Sequence, residues 1–373
     1  MMIEIIQVST KKDVKEFVNF PLRLYKNNPY FVPPLYAEEK ALFKKETVYS
    51  EQCESVFYLA KKDGKTVGRI QGILQRVSNE KWNQKRVRFT RFDAINDDEV
   101  AKALFLAVET WAKSKGMEEV VGPLGYSDLE REGLLIEGFD QLSTFEEQYN
   151  YDYYPTLLEN CGYQKEIDWV ESKLYYPKNR DERIKRVSER MMQKYGLRFG
   201  EAKNASDFVK RYGEEFFEVL DTTYVHIYQS VPFTEKMKKS LISNFKLVIN
   251  VKFARVILDK NDKIVGFGLI FPSFGKALQK SGGRLTLPAI FKVLKCLRRP
   301  KVIDLALIGV IPEYRNKAIA TALIDGILDM LESGEIEYAE TNLNLETNAN
   351  IRNQWKAFDS VEHKRRRSYV KKI

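Results

Sequence analysis

The sequence predicts a mixed α/β protein in which one α+β fold, built on a mixed sheet, is used twice. The chain has 373 residues, 44% hydrophobic and 30% charged, which suits two domains of ordinary globular composition. Two segments, 56–76 and 252–272, each contain an apolar run, a polar turn and a second run with Val-Gly. Asp-Gly or Asn-Asp turns between such runs are typical of β-hairpins. Their glycines, Gly68 and Gly266, lie 198 residues apart.

The elements after each hairpin are predicted to follow in the same order. In the first half the strand RVRFTRFDAI precedes a helix with an acidic start that closes at Gly116, and then the strand EEVVGP. In the second half the strand VIDLALIGVIP precedes a helix over roughly Asn316–Ser333 and the strand IEYAETNLNL. Apolar spacing, acidic starts and glycine stops predict these helices. We therefore expect a duplication with domains at 1–178 and 179–373, joined near YYPKNRDER.

The net charge of +9 is unevenly distributed along the chain. Segment 276–301 has eight basic and no acidic residues, and segment 352–373 has eight basic and two acidic ones, so the remainder carries −5. The run KRRRSYVKK in the second segment predicts an edge strand that its charges keep from aggregating. Nucleic-acid binding is the weaker interpretation, because no helix-turn-helix, zinc-finger or RNA-recognition motif accompanies it.

Segment 276–301 is an insert that only the second copy contains. It places Ile290, Val293, Leu294 and Leu297 on one helical side with basic residues around them. Such a basic amphipathic helix is suited to an anionic membrane surface. A solvated cap that packs on the sheet is an equal alternative.

Several totals exclude other classes of protein. Two histidines and three cysteines without CxxC or HxxxH spacing argue against a metal site, and the odd cysteine count argues against a disulfide framework. No apolar run reaches about 18 residues, and the first residues lack the apolar core of a signal peptide. We expect a cytoplasmic protein that can bind peripherally at the inner face of a membrane.

The start of the second-half helix is a candidate anion site. Its first turn, Asn-Lys-Ala-Ile-Ala, is small and basic, and Arg315 and Lys317 flank it. Free N–H groups and the helix dipole at such a start attract a phosphate or pyrophosphate. From physics alone, a plain core helix with a basic start is the simpler alternative.

Residues Val310–Leu323 resemble the acetyl-CoA signature of the GCN5-related N-acyltransferases (GNAT), V-x-P-x-[YF]-R-x-x-G-[IL]-[GA]-x-x-L. Seven positions match, and Ala318 replaces the glycine. The resemblance implies an acetyl-CoA or longer acyl-CoA cofactor, whose pantetheine arm would bind the strand at Ile308 and Val310. It also implies a pyrophosphate loop made of Arg315, Asn316, Lys317, Ala318, Ile319, Ala320 and Thr321.

A second family feature is only half present. In the family a later helix often begins with Asn and carries, seven residues on, a Tyr that protonates the leaving thiolate. Here the Asn is Asn348, a further cofactor candidate, but the Tyr position holds Trp355. Because an indole N–H does not ionise, that general acid is missing. A core aromatic is the simpler role for Trp355. The main alternative function is therefore a non-catalytic acyl-CoA-binding or scaffold protein.

The first half lacks the pyrophosphate loop. Asp97 and Asp98 stand at the matching place and would repel a pyrophosphate. We expect the first domain to shape the substrate cleft instead.

The whole layout resembles a narrower group, the tandem two-domain bacterial proteins that include ceramide synthase-like N-acyltransferases. The resembling segments are 20–35, 122–140, 149–163 and 228–237. The resemblance implies acyl transfer to an amine acceptor, with a long-chain lipid base as one candidate.

Candidate chemistry residues follow from this interpretation. Glu346 and Tyr224 are candidate bases, although a solvated carboxylate and a core aromatic are the simpler roles. Glu130 and Glu132 are candidate partners of the substrate amine, with a solvated loop as the alternative. Asn150 and Tyr154 are candidate cleft residues, with a buried aromatic cluster as the alternative for the tyrosine-rich run.

Overall fold

The first half of the chain begins the sheet and covers it with helices. We analysed a computed structural model, which describes residues 3–315 and 317–373. The strands of this half are β1 (Ile3–Gln7), β2 (Cys53–Lys62), β3 (Lys65–Gln75), β4 (Arg86–Ala94), β5 (Glu119–Gly122), β6 (Leu134–Glu137) and β7 (Gln164–Tyr175). Its helices are α1 (Lys11–Leu24), α2 (Tyr36–Ala41), α3 (Arg76–Trp82), α4 (Asp98–Ser114) and α5 (Tyr154–Asn160).

The second half repeats the order of hairpin, strand, helix and strand. Its strands are β8 (Arg198–Phe199), β9 (Ala254–Leu258), β10 (Ile264–Pro272), β11 (Val302–Val310), β12 (Tyr338–Thr341), β13 (Asn344–Leu345) and β14 (Asp359–Lys372). Its helices are α6 (Glu182–Tyr195), α7 (Ala205–Tyr224), α8 (Glu235–Val248), α9 (Gly275–Leu278), α10 (Leu287–Arg298), α11 (Ile319–Glu332) and α12 (Ala349–Gln354). No helix among the described residues is both long and apolar enough to span a bilayer.

Local sequence signals explain most of these elements. Asp63 and Gly64 both adopt left-handed conformations in the turn of the first hairpin, as a tight two-residue turn requires. The Asp97 side chain caps α4 by accepting from the Glu99 N–H at 3.0 Å, and Gly116 follows that helix with a φ of 71°. The predicted mixed sheet, the hairpins and the helix that follows each of them are therefore confirmed.

All the described strands belong to one mixed sheet. At its centre the two halves exchange strands, because β7 and β14 each pair with a strand of the other half. The order is β1-β2-β3-β4-β5-β14-β7-β12-β11-β10-β9-β8, with β6 and β13 at the side. β14, from the second half, pairs with β5 of the first half, while β7, from the first half, pairs with β12 of the second. Each half therefore completes the sheet of the other half.

The interpretation of KRRRSYVKK as an edge strand is wrong. β14 lies between β5 and β7, at the middle of the sheet. Lys364 is buried and contacts Glu171 and Glu340 at 2.6 Å each, and buried Arg366 contacts Glu171 at 2.6 Å. These basic side chains neutralise acidic groups inside the protein, so they do not belong to a charged surface.

The insert 276–301 has two parts with different surroundings. Its first part contacts the first half, since the Gln279 side chain donates to the carbonyls of Pro29 and Phe31 at 2.8 and 3.0 Å. The second part is α10. The predicted apolar side of α10 is divided: Val293 and Leu297 are half-buried, whereas Ile290 and Leu294 are exposed. One edge of this apolar side therefore packs on the protein, and the other edge is exposed.

Candidate active site

The candidate site begins where two neighbouring strands separate. β11 pairs in parallel with β12 only from Val302 to Leu305, although β11 continues to Val310. β13 turns away and pairs with β7. On the other side of β11, the register with β10 shifts, so that Ala306 has no partner residue there. This divergence opens a cavity of about 890 Å³.

The predicted cofactor residues fall into two groups. Five of them line the cavity: Ile308, Val310, Arg315, Ala320 and Asn348. Four described ones lie outside its lining, namely Lys317, Ala318, Ile319 and Thr321. Ile319 is fully buried in the core, and the Lys317 ammonium lies 3.8 Å from the centre of the Tyr314 ring. Asn316 lies outside the described residues.

The start of α11 has the form expected of an anion-binding turn. Ala318 precedes the helix in a left-handed conformation, with φ 54° and ψ 22°, where glycine is the favoured residue. No side-chain hydrogen bond caps this end of α11 within the described part of the chain. The first N–H groups of the helix and the neighbouring Arg315 can therefore serve an anion.

The opposite wall of the cavity comes from the first half and is rich in carboxyl groups. Its acidic residues are Asp128, Glu130, Glu132, Glu146 and Glu147. Burial raises the pKa of Asp128 to about 6 and that of Glu147 to about 8. Burial, followed by the charge of Asp128, raises the pKa of Glu132 well above its ordinary value. The wall thus combines ionised and protonated carboxyl groups near neutral pH.

Three of these carboxyl groups have a buried oxygen without a hydrogen-bond partner among the described residues, namely Asp128 Oδ1, Glu132 Oε1 and Glu147 Oε2. Glu147 Oε2 lies 3.7 Å from the Arg366 guanidinium, and the Glu132 residue is only 5% exposed. A buried unpaired polar atom is costly, so such atoms in a cavity wall indicate a ligand. Sequence reasoning identified Glu130 and Glu132 here and missed Asp128, Glu146 and Glu147.

Tyr224 connects this wall with the open strand. Its hydroxyl accepts from the Ile308 N–H at 3.3 Å and donates to the Ile308 carbonyl at 3.2 Å. Burial, and to a smaller extent the charge of Asp128, raises the pKa of Tyr224 well above its ordinary value. The phenol is therefore neutral near pH 7, so it can donate a proton but cannot serve as the predicted base.

Trp355 lines the cavity as a positioning group. It is buried, and its Nε1–H donates to the Asn344 side-chain oxygen at 2.6 Å. Asn348 caps α12 by accepting from the Ile351 N–H at 3.2 Å. The Asn and the aromatic residue thus hold the loop below the cavity.

Three other sequence candidates lie outside the cavity lining. Glu346 pairs with Lys165 at 2.8 Å and is not among the residues that line the cavity. Asn150 is fully buried and bonds with both backbone groups of Leu135. The structure corrects Glu346 as a base and Asn150 as a cleft residue, because each already has an internal partner.

Tyr154 is likewise a core residue rather than a cleft residue. It is fully buried, its hydroxyl lies 2.8 Å from that of Tyr25, and it accepts from the Ala94 N–H at 3.1 Å. The buried aromatic cluster, which was the alternative for this run, is the observed arrangement.

Comparisons with known proteins agree with this geometry. Residues 214–352 match the model of the acetyltransferase (GNAT) family. The chain is 28% identical over 381 residues to protein YghO of Escherichia coli K12, covering 97% of this chain and 94% of that protein. It is 27% identical over 308 residues to the bacterial ceramide synthase of Caulobacter vibrioides, covering 80% and 77%.

Solved structures share the fold over the whole length. A tandem GNAT protein from the clavulanic acid biosynthesis pathway superposes with a TM-score of 0.57 at 10% identity, covering 100% of this chain and 98% of that one. A GCN5-related N-acetyltransferase from Sphaerobacter thermophilus gives a TM-score of 0.51 at 10% identity, covering 99% and 95%. Residues 214–352 therefore match the GNAT acetyltransferase family, and the chain as a whole has the fold of tandem GNAT proteins.

Proposed function

We propose that the protein transfers an acyl group from acetyl-CoA or a longer acyl-CoA to an amine. The observation that carries the proposal is the continuity of one cavity, which joins the open edge of β11 to a carboxyl-rich wall from the first half. A thioester donor and an amine acceptor need these two different surfaces, because the donor is anionic and the acceptor is cationic before it reacts.

The donor side fits a CoA thioester, which when bound supplies an activated acyl carbon. The backbone of β11 beyond Leu305 is not paired by β12, so an extended amide chain can bind there as another strand would. The start of α11 and Arg315 suit the pyrophosphate. Tyr224 now occupies the backbone groups of Ile308, so it would yield one of them to the pantetheine amide.

The acceptor side suits an amine that must lose a proton. An ammonium group is attracted to the carboxyl wall, where Glu130 and Glu132 are its proposed partners. Asp128, with a pKa near 6, is the proposed general base and receives one amine proton. The nitrogen bonds to the acyl carbon while the carbon–sulfur bond breaks, and Tyr224 gives its proton to the departing sulfur. The second proton of the nitrogen then passes to the Tyr224 oxygen, so that the step ends with the amide, the free thiol, a neutral Tyr224 and a protonated Asp128. This assigns to Tyr224 the role that Trp355 cannot perform.

We further propose that the acceptor is a lipid amine. The cavity wall also includes apolar side chains, among them Leu129, Ile227, Leu241 and Met330. The similarity to a bacterial ceramide synthase supports the same acceptor class. Such an acceptor would place the protein at the inner face of the membrane as a peripheral enzyme. Lipid extracts from cells with and without the gene test this, since unchanged N-acyl lipids would exclude it.

A non-catalytic acyl-CoA-binding protein is the second candidate, and Trp355 at the usual tyrosine position favours it. Both candidates require that CoA thioesters bind. Calorimetry with acetyl-CoA and palmitoyl-CoA is the first experiment, and the absence of binding by either would exclude both functions. Thiol release with a panel of amines then separates them, since a scaffold releases none.

A matched pair of variants assigns the binding to this cleft. Arg315→Gln should weaken CoA binding by about tenfold, the equivalent of one charge-assisted contact. Arg183→Gln is the control, because Arg183 is exposed and its one ion pair in the described chain is with Asp181. Equal effects of the two changes would place the binding elsewhere.

A further inference from the structure

The surface around α10 carries an unusual concentration of exposed apolar side chains. Eleven large hydrophobic residues of the described chain are exposed, and five of them lie within residues 285–294. These are Leu285, Leu287, Ile290, Phe291 and Leu294. Leu287 and Phe291 are 73% and 71% exposed. The spacing of the four helical residues, i, i+3, i+4 and i+7, places them on one face of the helix.

This apolar face points away from the protein because a different side of α10 packs on it. Ala289 is buried and Val293 and Leu297 are half-buried, so a different face of α10 packs on the protein. The Asn250 side chain donates to the Leu297 carbonyl at 3.2 Å and fixes the end of the helix. The preceding turn is tied to the first half, where the Tyr36 N–H donates to the Gly283 carbonyl at 3.0 Å. The exposure is therefore built into the fold.

The same helix carries basic side chains that have no acidic partner. Lys292, Lys295, Arg298 and Arg299 form no ion pair with any residue in 3–315 or 317–373. The insert itself contains no acidic residue. By contrast, β14, which is also rich in basic residues, uses Lys364 and Arg366 in buried ion pairs. The charge on α10 is thus available to an anionic partner outside the protein.

We infer that α10 docks the protein on an anionic lipid bilayer. The apolar side chains would enter the boundary between headgroups and acyl chains, while the long basic side chains reach the phosphate level. The charge complementarity favours a lipid surface over a neutral protein surface, because Lys292 and Lys295 lie beside exposed apolar residues of the helix, and Arg298 and Arg299 follow them. The inference stands apart from acyl transfer, since α10 contributes no residue to the cavity lining.

The test is co-sedimentation of the full chain with vesicles. We expect binding to phosphatidylcholine vesicles that contain about one-third phosphatidylglycerol, and little binding to phosphatidylcholine alone. Raising NaCl to about 0.5 M should weaken the binding severalfold, because the Debye length falls to a few ångströms. Failure to bind the anionic vesicles at low salt would overturn the inference.

Variants locate the binding surface. Leu287→Ser combined with Phe291→Ser should lower the vesicle partition coefficient by about tenfold or more, because two large side chains lose their burial. Leu106→Ser is the matched control, since Leu106 is 62% exposed on α4 of the first half. Unchanged binding by the double variant would overturn the inference. So would a change in self-association without a change in vesicle binding, which would indicate a protein partner.

Folding and cofactor binding are checked on the same samples. Circular dichroism and thermal unfolding should be unaltered, because the changed side chains are exposed. CoA binding by calorimetry should also be unaltered. If the variant loses vesicle binding but keeps CoA binding, the result tests membrane docking by α10 alone. If the unmodified chain does not bind CoA, the proposed acyl transfer fails and the docking inference is unaffected.

Discussion

Each half contains an equivalent pair of parallel strands that diverge, but a large cavity opens beside the pair only in the second half. In the second half, β11 leaves β12 after Leu305 and opens a cavity of about 890 Å³. In the first half, β4 pairs with β5 only from Arg86 to Arg88, and the pocket beside the later residues of β4 holds only about 20 Å³. One backbone design therefore yields a site in one copy and a core in the other.

Side chains close the gap in the first half. The hydroxyls of Tyr154 and Tyr153 bond with the N–H and the carbonyl of Ala94, so both backbone groups of this residue of β4 are already paired. The pocket beside it is filled by buried ion pairs, with Arg69 on Asp93 at 2.7 Å and Arg91 on Glu39 at 3.0 Å. The comparison shows that side chains can occupy the free backbone groups of a strand, so that no binding site forms there although the fold is unchanged.

A pair of equivalent tyrosines shows the difference most directly. Tyr25 follows α1 and Tyr224 ends α7, and they lie 199 residues apart, as do Val32 and Val231. The Tyr25 hydroxyl donates to Asp93 at 2.9 Å inside a closed core, whereas Tyr224 bonds with the backbone of Ile308 at the cavity. The first copy uses this tyrosine for stability, and we propose that the second uses it for chemistry.

The largest effect should come from removing the group that the first half lends to the cleft. We expect Asp128→Asn to lower kcat/KM by about 10²–10⁴, the usual contribution of a general base. In the unmodified protein the rate should rise as pH increases through about 6, because burial raises the pKa of Asp128 to that value and the base form exists above it. Steady-state thiol release over a pH series measures both.

Glu346→Gln is the control for this change, since Glu346 is a carboxylate outside the cavity lining. It should leave the rate and its pH dependence unaltered. A comparable loss in both variants, or none in Asp128→Asn, would show that the first half does not supply the base.

The next largest effect should come from removing the buried ion pairs that link β14 to β7 and β12. Lys364→Met removes the buried ammonium that Glu171 and Glu340 share and should cost about 3–5 kcal/mol, although Arg366 still contacts Glu171. Lys85→Met removes an exposed ion pair with Glu118 and should cost at most about 1 kcal/mol. Denaturant unfolding should show one shared transition that shifts. Two transitions, with only one shifted, would mean that the halves are independent units.

A smaller effect should distinguish the equivalent tyrosines. Tyr25→Phe should cost about 1–3 kcal/mol of stability, because Asp93 and Tyr154 lose a partner where water cannot replace it. Tyr224→Phe should cost less than about 1 kcal/mol, since Ile308 lies at the cavity, but should lower kcat about tenfold or more. Unfolding curves and kinetics on both variants check this. If Tyr224→Phe weakened CoA binding and left kcat unchanged, its role would be structural.

The smallest effect concerns the loop before α11. Ala318→Gly relieves a left-handed alanine and should stabilise the protein by about 0.5–1 kcal/mol after the entropy cost of glycine in the unfolded chain. Ala103→Gly, in the middle of α4, should instead destabilise it by about 1 kcal/mol. Thermal unfolding measures the pair, and destabilisation by both would contradict the strain at Ala318.

The features that could be predicted from the sequence are those that depend on residues close together in the chain. The hairpins, the caps of α4 and the loop residues Arg315 and Ala320 follow from local spacing. The exchange of β7 and β14 could not be predicted, because alternation within a strand does not specify which strand pairs with it. Lys364 and Arg366 look like surface charges until their partners, from distant segments, are known.

The carboxyl-rich wall of the cavity could not be fully predicted from the sequence for a similar reason. Asp128, Glu146 and Glu147 lie in loops without periodicity, and only the fold brings them opposite β11. The one available signal was the density of acidic residues at 128–132 and 146–147. Asn150 and Tyr154 were predicted to be cleft residues, whereas the hydroxyls of Tyr153 and Tyr154 instead bond with the backbone of Ala94 in the first half.

The position of β14 also has a consequence for how the protein is made. The ribosome completes β5 roughly 10–50 s before it completes β14, at 5–20 residues per second. During that interval the nascent first half has an open sheet edge, and β7 carries the buried acid Glu171 without its cations. The sheet is therefore complete only after β14 has been translated, and we expect a chain truncated before β14 to leave β5 and β7 without the strand that they share.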